Sequence, residues 1–166
     1  MAKFEHIRHK PPHGLAEPRP MVLVCAPLRS SVNLSRMMRL AGNCGMTRLI
    51  HCGPGKVDRD IARDAIDYVA LETHRSLPPV LDKLRAAGLR LVGLEQTTNS
   101  QCLFNYQFVK ETALIIGSER EGLSDEVLEK LDDVIEIPVY GQPASHNVVT
   151  ATTMALYEYC RQFPLG

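Results

Sequence analysis

Short apolar runs alternate along the chain with stretches of helical periodicity. The runs predict strands at 21–26, 47–52, 68–71, 89–94, 112–116 and 134–137. Polar caps, glycine stops and apolar spacing predict helices at 32–43, 58–67, 77–87, 124–131 and 147–162. Because the strands are apolar on both faces, they are typical of a parallel sheet covered by helices on both sides. The pattern therefore predicts an α/β fold.

The first twenty residues differ from the rest. They are polar and rich in proline, which predicts a flexible arm over 1–20 followed by one domain over 21–166. Three histidines of the arm, His6, His9 and His13, have helical spacing for a metal site, but the nearby prolines argue against that helix. No signal-peptide pattern and no apolar run of ~20 residues are present, so we expect a cytoplasmic protein without a membrane partner.

Composition sets further limits on function. The chain has 166 residues and is 45% hydrophobic, enough for one domain with a buried core. Its five cysteines are an odd number without CxxC spacing, which favours reduced, structural thiols. The formal net charge is zero, yet residues 29–48 hold four arginines and no acid, whereas acids dominate 119–136. A neutral total can thus contain a basic and an acidic face, although solvated helix surfaces explain both equally well.

Two predicted strands end in polar loops that contain glycine. The strand at 112–116 leads into Gly117-Ser118-Glu119-Arg120-Glu121-Gly122, and the strand at 134–137 leads into the loop 138–147 before the last helix. The carboxyl edge of a parallel sheet, where backbone N–H groups stay unpaired, is the usual ligand site of α/β proteins. The two loops predict one ligand, held largely through the backbone.

Polar residues in and near these loops are candidates for the chemistry. Arg39 and Asn33 share a predicted helix, and an arginine there can clamp phosphate or simply be solvated. Glu119 can orient Asn147 or an arginine, or be an ordinary acid before a helix. Asn147 and Ser145 precede the last helix, where N-capping explains at least one of them.

Other motifs give weaker indications of function. Ser145 and His146 are adjacent, and without a GxSxG elbow they do not indicate a hydrolytic triad. The segment Gly53-Pro54-Gly55-Lys56 resembles a phosphate turn but lacks P-loop spacing, so a plain turn is the favoured interpretation. No G-x-G-x-x-G follows the first strand, which disfavours a Rossmann-type nucleotide binder.

Three stretches together resemble the SPOUT superfamily of RNA methyltransferases, in its TrmH branch. They are 33–39 (Asn-Leu-Ser-Arg-Met-Met-Arg), 115–124 (Ile-Ile-Gly-Ser-Glu-Arg-Glu-Gly-Leu-Ser) and 137–147, which ends in Ser-His-Asn. They occur in the family's order between about residues 21 and 162. The chain departs from the family at His146, where leucine is usual, and at Leu40, where a small polar residue is common.

The resemblance implies a deep trefoil knot in the C-terminal part, a homodimer with sites at its interface, and S-adenosylmethionine as cofactor. By position, the implied cofactor contacts are Leu94, Gly117, Ile137, Ser145 and His146, with no metal. The implied catalytic residues are Arg39, Asn33, Glu119, Ser145 and Asn147.

The family reaction is methyl transfer to a ribose 2′-hydroxyl of RNA. Arg39 is the family's candidate base, but an arginine pKa above ~12 favours a role in organising phosphate and oxyanion. Segments 93–97, 119–122 and 157–162 resemble members that methylate the D-loop guanosine of tRNA; ribosomal RNA and the tRNA wobble nucleotide are alternatives. A knotted RNA-binding protein without turnover is the other class. Residues 29–48 and the arm are expected to contact RNA backbone.

Overall fold

The computed structural model describes residues 3–7 and 10–166, which form a seven-stranded sheet in the order β3-β2-β1-β6-β4-β7-β5. All the paired strands are parallel, so their carboxyl ends meet at one edge. The strands are β1 Val22–Cys25, β2 Arg48–Cys52, β3 Ala70–His74, β4 Arg90–Leu94, β5 Gln101–Cys102, β6 Thr112–Ile116 and β7 Asp133–Glu136. The predicted parallel α/β sheet is confirmed.

Among the described residues, five α-helices lie between or after the strands: α1 Ser31–Asn43, α2 Arg59–Ala62, α3 Pro78–Ala86, α4 Asp125–Leu128 and α5 Val148–Gln162. The hydroxyl of Ser30 caps α1 by accepting a hydrogen bond from the Asn33 amide at 3.3 Å. Alternate residues of each inner strand enter opposite cores. Leu23 packs in the core beneath α1 and α5, and Val24 packs in the core beneath α3 and α4. Helices thus cover both faces of the sheet.

Four elements differ from the sequence-based prediction. The helix predicted at 58–67 is the short α2 followed by a 3₁₀ turn, because Arg63 has a φ of 56° that interrupts the α-helix. Strand β3 lies at 70–74 instead of 68–71, and α4 is shorter than predicted. Strand β5 was not predicted, since two residues, one of them the polar Gln101, give no apolar run.

The end of the proline-rich segment packs against the domain. The amide of Ala16 donates to the carbonyl of Leu165 at 3.0 Å. Arg19 is buried, and its Nε donates to the carbonyl of Cys44 at 2.8 Å while its guanidinium also bonds the carbonyl of Phe163. Flexibility of the arm over 1–20 stays a prediction.

His9, part of the histidine set considered for metal binding, lies outside the described residues. Within 3–7 and 10–166, no group of histidine, cysteine and acidic side chains is arranged to hold a metal ion. The same residues contain no helix with the length and apolarity to cross a membrane.

Candidate active site

A cleft of about 600 Å³ opens at the carboxyl edge of the sheet, between the loops that follow β4, β6 and β7. This volume lies in the range of small-molecule sites. The five residues predicted to contact a cofactor all line it: Leu94, Gly117, Ile137, Ser145 and His146. Glu119 and Asn147 line it as well. The two glycine-containing loops therefore border one shared cavity.

The loop after β6 is a tight turn closed by two backbone hydrogen bonds. The amides of Ser118 and Gly122 each donate to the other's carbonyl at 3.1 Å. A Cβ on Gly117 would lie 2.5 Å from the carbonyl carbon of Gly122, nearer than side chains ever approach backbone. Glycine at 117 is therefore required by the close approach of two backbone segments, which shapes the cleft wall.

Glu95 is a residue of this site that the sequence-based interpretation missed. Its Oε2 accepts from the Leu123 amide at 3.1 Å, and its Oε1 accepts from the Gln96 amide at 3.0 Å. The carboxylate lies under Gly122, where a Cβ would approach Oε2 to 2.4 Å. Glu95 thus fastens the β6 loop to the end of β4. Glu95 could have been identified as a candidate from the sequence, because it directly follows β4 at the carboxyl edge of the sheet.

The loop before α5 forms the opposite wall. Asn147 caps α5: its Oδ1 accepts from the Val149 amide at 2.9 Å and from the Thr150 amide at 3.4 Å. The capping interpretation therefore holds for Asn147, a residue that also lines the cleft. Gln96 Nε2 donates to the carbonyl of Ala144 at 3.4 Å, so the loops after β4 and β7 are in contact.

Glu119 connects the cleft to α1. Its carboxylate accepts hydrogen bonds from Asn33 Nδ2 at 2.9 Å, from the Arg29 amide at 3.0 Å and from the Ser30 amide at 3.3 Å. Partial burial raises the pKa of Glu119, but these hydrogen bonds outweigh it and hold the pKa below its usual value. Within the described chain the carboxylate organises the start of α1. That Glu119 orients Asn147 or an arginine from a facing site stays a prediction.

Asn33 and Arg39 lie on α1 but in different surroundings. Asn33 is buried against Glu119, whereas Arg39 is exposed and lies ~120° further around the helix. Neither lines the cleft of its own chain among the described residues. Within the basic stretch 29–48, Arg48 forms an ion pair with Glu72 at 2.8 Å and begins β2 at the opposite sheet edge, so it does not belong to a face near the cleft.

His51 lies fully buried at the end of β2, below the β1–α1 loop. Its Nε2 accepts a hydrogen bond from the Leu28 amide at 3.3 Å, which requires the neutral tautomer with the proton on Nδ1. Nδ1 has no hydrogen-bond partner among the described residues. Burial lowers the pKa of His51 below its usual value, and the negative charge of Glu119 opposes this only in part.

The cleft combines an apolar floor with acidic walls. Ile116, Leu94 and Ile137 give it apolar surface at the strand ends, and the carboxylates of Glu95 and Glu119 border it. Loop amides and carbonyls supply further polar groups. Such a lining suits an elongated ligand that has a flat apolar part and a positive charge.

Comparison of the sequence with known proteins identifies a family of methyltransferases. Residues 20–157 match the protein family described as the SpoU rRNA Methylase family. The tRNA (guanosine(18)-2′-O)-methyltransferase of Escherichia coli K12 is 28% identical over 152 residues, which cover 89% of this chain and 66% of that protein. The chain thus spans slightly less than two thirds of that relative.

Solved structures share the fold. The TrmH/SpoU tRNA modifying enzyme of A. aeolicus superposes with a TM-score of 0.83 at 25% identity, over 89% of this chain and 77% of that one. The SpoU methyltransferase AviRb of Streptomyces viridochromogenes, in complex with the cofactor AdoMet, gives a TM-score of 0.75 at 29% identity. That match covers 87% of this chain and 61% of AviRb.

Proposed function

The chain belongs to the SpoU rRNA methylase family, and from this membership we propose that it transfers a methyl group from S-adenosylmethionine to a ribose 2′-hydroxyl of RNA. One observation carries the proposal. The residues expected to contact the cofactor line a single cleft, together with Glu119 and Asn147. AviRb, a structural neighbour, was solved with the same cofactor.

The cleft lining fits S-adenosylmethionine. The apolar strand ends at Leu94 and Ile137 suit the adenosine, and the turn at Gly117 presents backbone groups at the wall. The carboxylates of Glu95 and Glu119 favour binding of the positively charged sulfonium of the cofactor. When bound, the cofactor supplies an electrophilic methyl group.

The protein residues position the acceptor. A ribose hydroxyl is a poor nucleophile at neutral pH, so holding it in line with the methyl group is worth up to ~7–11 kcal/mol. In our proposal, Ser145 and Asn147 hold the β7–α5 loop and the ribose, and Glu119 with Asn33 fixes the start of α1. Arg39 contacts the phosphate next to the reacting ribose and stabilises the developing oxyanion as a permanent cation.

We further propose that two copies of the chain complete each site, and that the C-terminal part is knotted as in the family. Arg39 is exposed and does not line the cleft of its own chain, so a second copy must supply it in this arrangement. Exposed apolar side chains on α1 and α5, Val32 and Tyr157, support a contact between copies there.

Transfer RNA, at a D-loop guanosine, is the proposed substrate. The E. coli relative is a tRNA (guanosine(18)-2′-O)-methyltransferase, which supports this choice. Ribosomal RNA, which the family description names, is the alternative. Cytoplasmic location forms part of the proposal, and the five free cysteines fit a reducing compartment.

Calorimetry with S-adenosylmethionine tests the enzymatic proposal at its first step. Binding of one cofactor per chain, followed by methyl transfer to a tRNA transcript, is the expected result. Absence of cofactor binding would instead favour an RNA-binding protein without turnover. Mapping 2′-O-methyl sites in total RNA with and without the gene then separates tRNA from ribosomal RNA.

A further inference from the structure

Three hydrogen-bonded links tie the loops along one half of the carboxyl edge. The Gly53 amide donates to the carbonyl of His74 at 2.8 Å and joins the loop after β2 to the last residue of β3, where the next loop begins. The Leu28 amide donates to His51 Nε2 at 3.3 Å and joins the loop after β1 to β2. Two amides of the β1–α1 loop donate to Glu119 at 3.0 and 3.3 Å and join it to the loop after β6. Four loops thus form one connected surface beside the cleft.

Each of these four loops carries one exposed cation. They are Arg75 after β3, Lys56 after β2, Arg29 after β1 and Arg120 after β6. None of these four side chains forms an ion pair with any residue that the structure describes. Six other cations form ion pairs with acids within 4 Å, whereas Arg36, Arg39, Lys83 and Lys110 are among those that do not; the six are Arg48, Arg59, Arg85, Arg90, Lys130 and Arg161. What distinguishes the four loop cations is that they lie on neighbouring loops of one sheet edge.

The order of strands arranges these cations in a row. Since β3, β2, β1 and β6 are neighbours spaced ~4.8 Å apart, the row extends over roughly 14 Å. It ends at Arg120, which lines the cleft. The first turn of α3 contains no acid, so its N-terminal dipole adds positive potential, whereas the Glu119 carboxylate offsets the dipole of α1. Four exposed acids, Asp58, Asp60, Glu119 and Glu121, lie in these loops or at the start of α2 and reduce this potential, although none forms an ion pair with a cation of the row among the described residues.

The turn that carries Lys56 is rigidly packed. A Cβ on Gly55 would lie 2.9 Å from His51 Cε1 and 3.0 Å from Leu34, so glycine lets this turn lie directly on the buried histidine. The Asp58 amide donates to the buried Ser35 hydroxyl at 2.8 Å and fixes the other end of the turn. Binding a ligand at Lys56 would therefore cost little ordering of the backbone.

We propose that Arg75, Lys56, Arg29 and Arg120 form a phosphate track, along which the substrate RNA backbone runs from β3 to the cleft. The inference rests on the proposed function, since the track delivers RNA to the methyl-transfer site. Arginine and lysine side chains on an exposed edge bind phosphate without reading bases, and such contacts fix the register of the nucleic acid. The track therefore sets the affinity and orientation of RNA, and the cleft performs the chemistry.

The test is a double charge reversal at the far end of the track, Lys56→Glu with Arg75→Glu. The matched control is Lys83→Glu with Lys110→Glu, where Lys83 is in the last turn of α3 and Lys110 precedes β6 at the opposite sheet edge. Dissociation constants for an unmodified tRNA transcript are measured over a salt series, and cofactor affinity is measured by calorimetry on the same samples.

We expect the track variant to bind RNA about tenfold more weakly or worse, with the salt slope smaller by about 1.4 to 1.8 for two lost phosphate contacts. Its cofactor affinity and its turnover at saturating RNA stay at the wild-type level, and the control binds RNA within twofold of wild type. RNA affinity unchanged in the track variant, or reduced equally in the control, would overturn the track. Absence of cofactor binding in the wild type would instead overturn the proposed function, and selective loss of RNA binding would still support the track.

Discussion

The side chain of Asn33 donates a 2.9 Å hydrogen bond to Glu119, joining the first turn of α1 to the loop after β6. Residues 86 positions apart thus set the distance between the helix that carries Arg39 and the wall of the cleft. Three donors converge on one carboxylate, so the link is stronger than a single neutral hydrogen bond. In the proposed dimer, this contact connects the cleft of one site to the helix that supplies Arg39 to the other site.

We predict that Glu119→Gln lowers turnover by 10- to 100-fold and leaves the fold intact. The amide of glutamine has one acceptor oxygen, so its NH₂ group must face either the Arg29 amide or the Ser30 amide together with Asn33 Nδ2, and the link to α1 weakens. Methyl transfer to a tRNA transcript is the measurement. Glu121→Gln, in the same loop, is the control and should stay near wild type. Equal activity of the two variants would show that the link has no role in transfer.

A double-mutant cycle of Asn33→Ala and Glu119→Gln measures the contact itself. We expect a coupling of about 0.5–3 kcal/mol in the activation free energy, because the two side chains bond directly. Circular dichroism melts on the four proteins check that the fold is retained. Additive effects of the two substitutions would indicate that each residue acts alone.

We predict that Gly117→Ala abolishes cofactor binding. The added methyl group would lie 2.5 Å from the Gly122 backbone, so the turn must leave the position in which it forms the cleft wall. Gly141→Ala is the matched control, since a Cβ there meets nothing within 4 Å. Calorimetry with S-adenosylmethionine compares the two. Normal binding by Gly117→Ala would place the cofactor away from this turn.

Arg39→Ala should abolish transfer while cofactor binding is kept, because Arg39 lies outside the cleft of its own chain. Arg36→Ala, an exposed arginine on the same helix, is the control. If two copies share each site, co-expression of Arg39→Ala with Gly117→Ala restores about a quarter of wild-type activity, since half of randomly mixed dimers hold one complete site of two. Transfer by Arg39→Ala alone at the wild-type rate would remove this residue from the mechanism.

The burial of His51 predicts a pH dependence of stability. Its pKa is lowered in the folded protein, so below about pH 6.5 the unfolded chain binds a proton that the folded protein does not. The free energy of unfolding should therefore be highest above pH 6.5 and decrease towards pH 5, with a slope of at most about 1.4 kcal/mol per pH unit.

Urea unfolding between pH 5 and 7.5 measures this effect. The variant His51→Gln keeps an acceptor for the Leu28 amide without titrating in this range, and its slope should be shallower than that of wild type. Identical slopes would show that another group causes the dependence.

Local patterns predicted most of the fold. The apolar runs placed β1, β2, β4, β6 and β7 within a few residues of their observed bounds. Strands that are buried on both faces are nearly continuous runs of hydrophobic residues, which can be identified from the sequence. Elements that depend on tertiary contacts were missed or misplaced. Strand β5 exists through pairing with β7, and α2 ends where Arg63 adopts a left-handed conformation that its own sequence does not favour.

The residues that line the cleft could be predicted from the sequence more readily than the hydrogen bonds that they form. The loops after β6 and β7 could be predicted to form the cleft walls, because both contain glycine and polar residues and follow strands of the sheet. The partner of Glu119 was not predictable, since its hydrogen bond to Asn33 spans 86 positions and depends on how α1 packs. His51 looked like one more residue of a buried strand, and its link to Leu28 is visible only when the β1–α1 loop is folded over it.

Methyl transfer to a single RNA in vitro tests the central proposal most directly. The wild-type protein is incubated with methyl-labelled S-adenosylmethionine and an unmodified tRNA transcript, and the labelled nucleotide is then mapped by alkaline hydrolysis and sequencing. We predict label in one alkali-resistant dinucleotide, which marks a ribose 2′-O-methyl group, at a D-loop guanosine. Label on a base, or no label in the transcript despite cofactor binding, would contradict it.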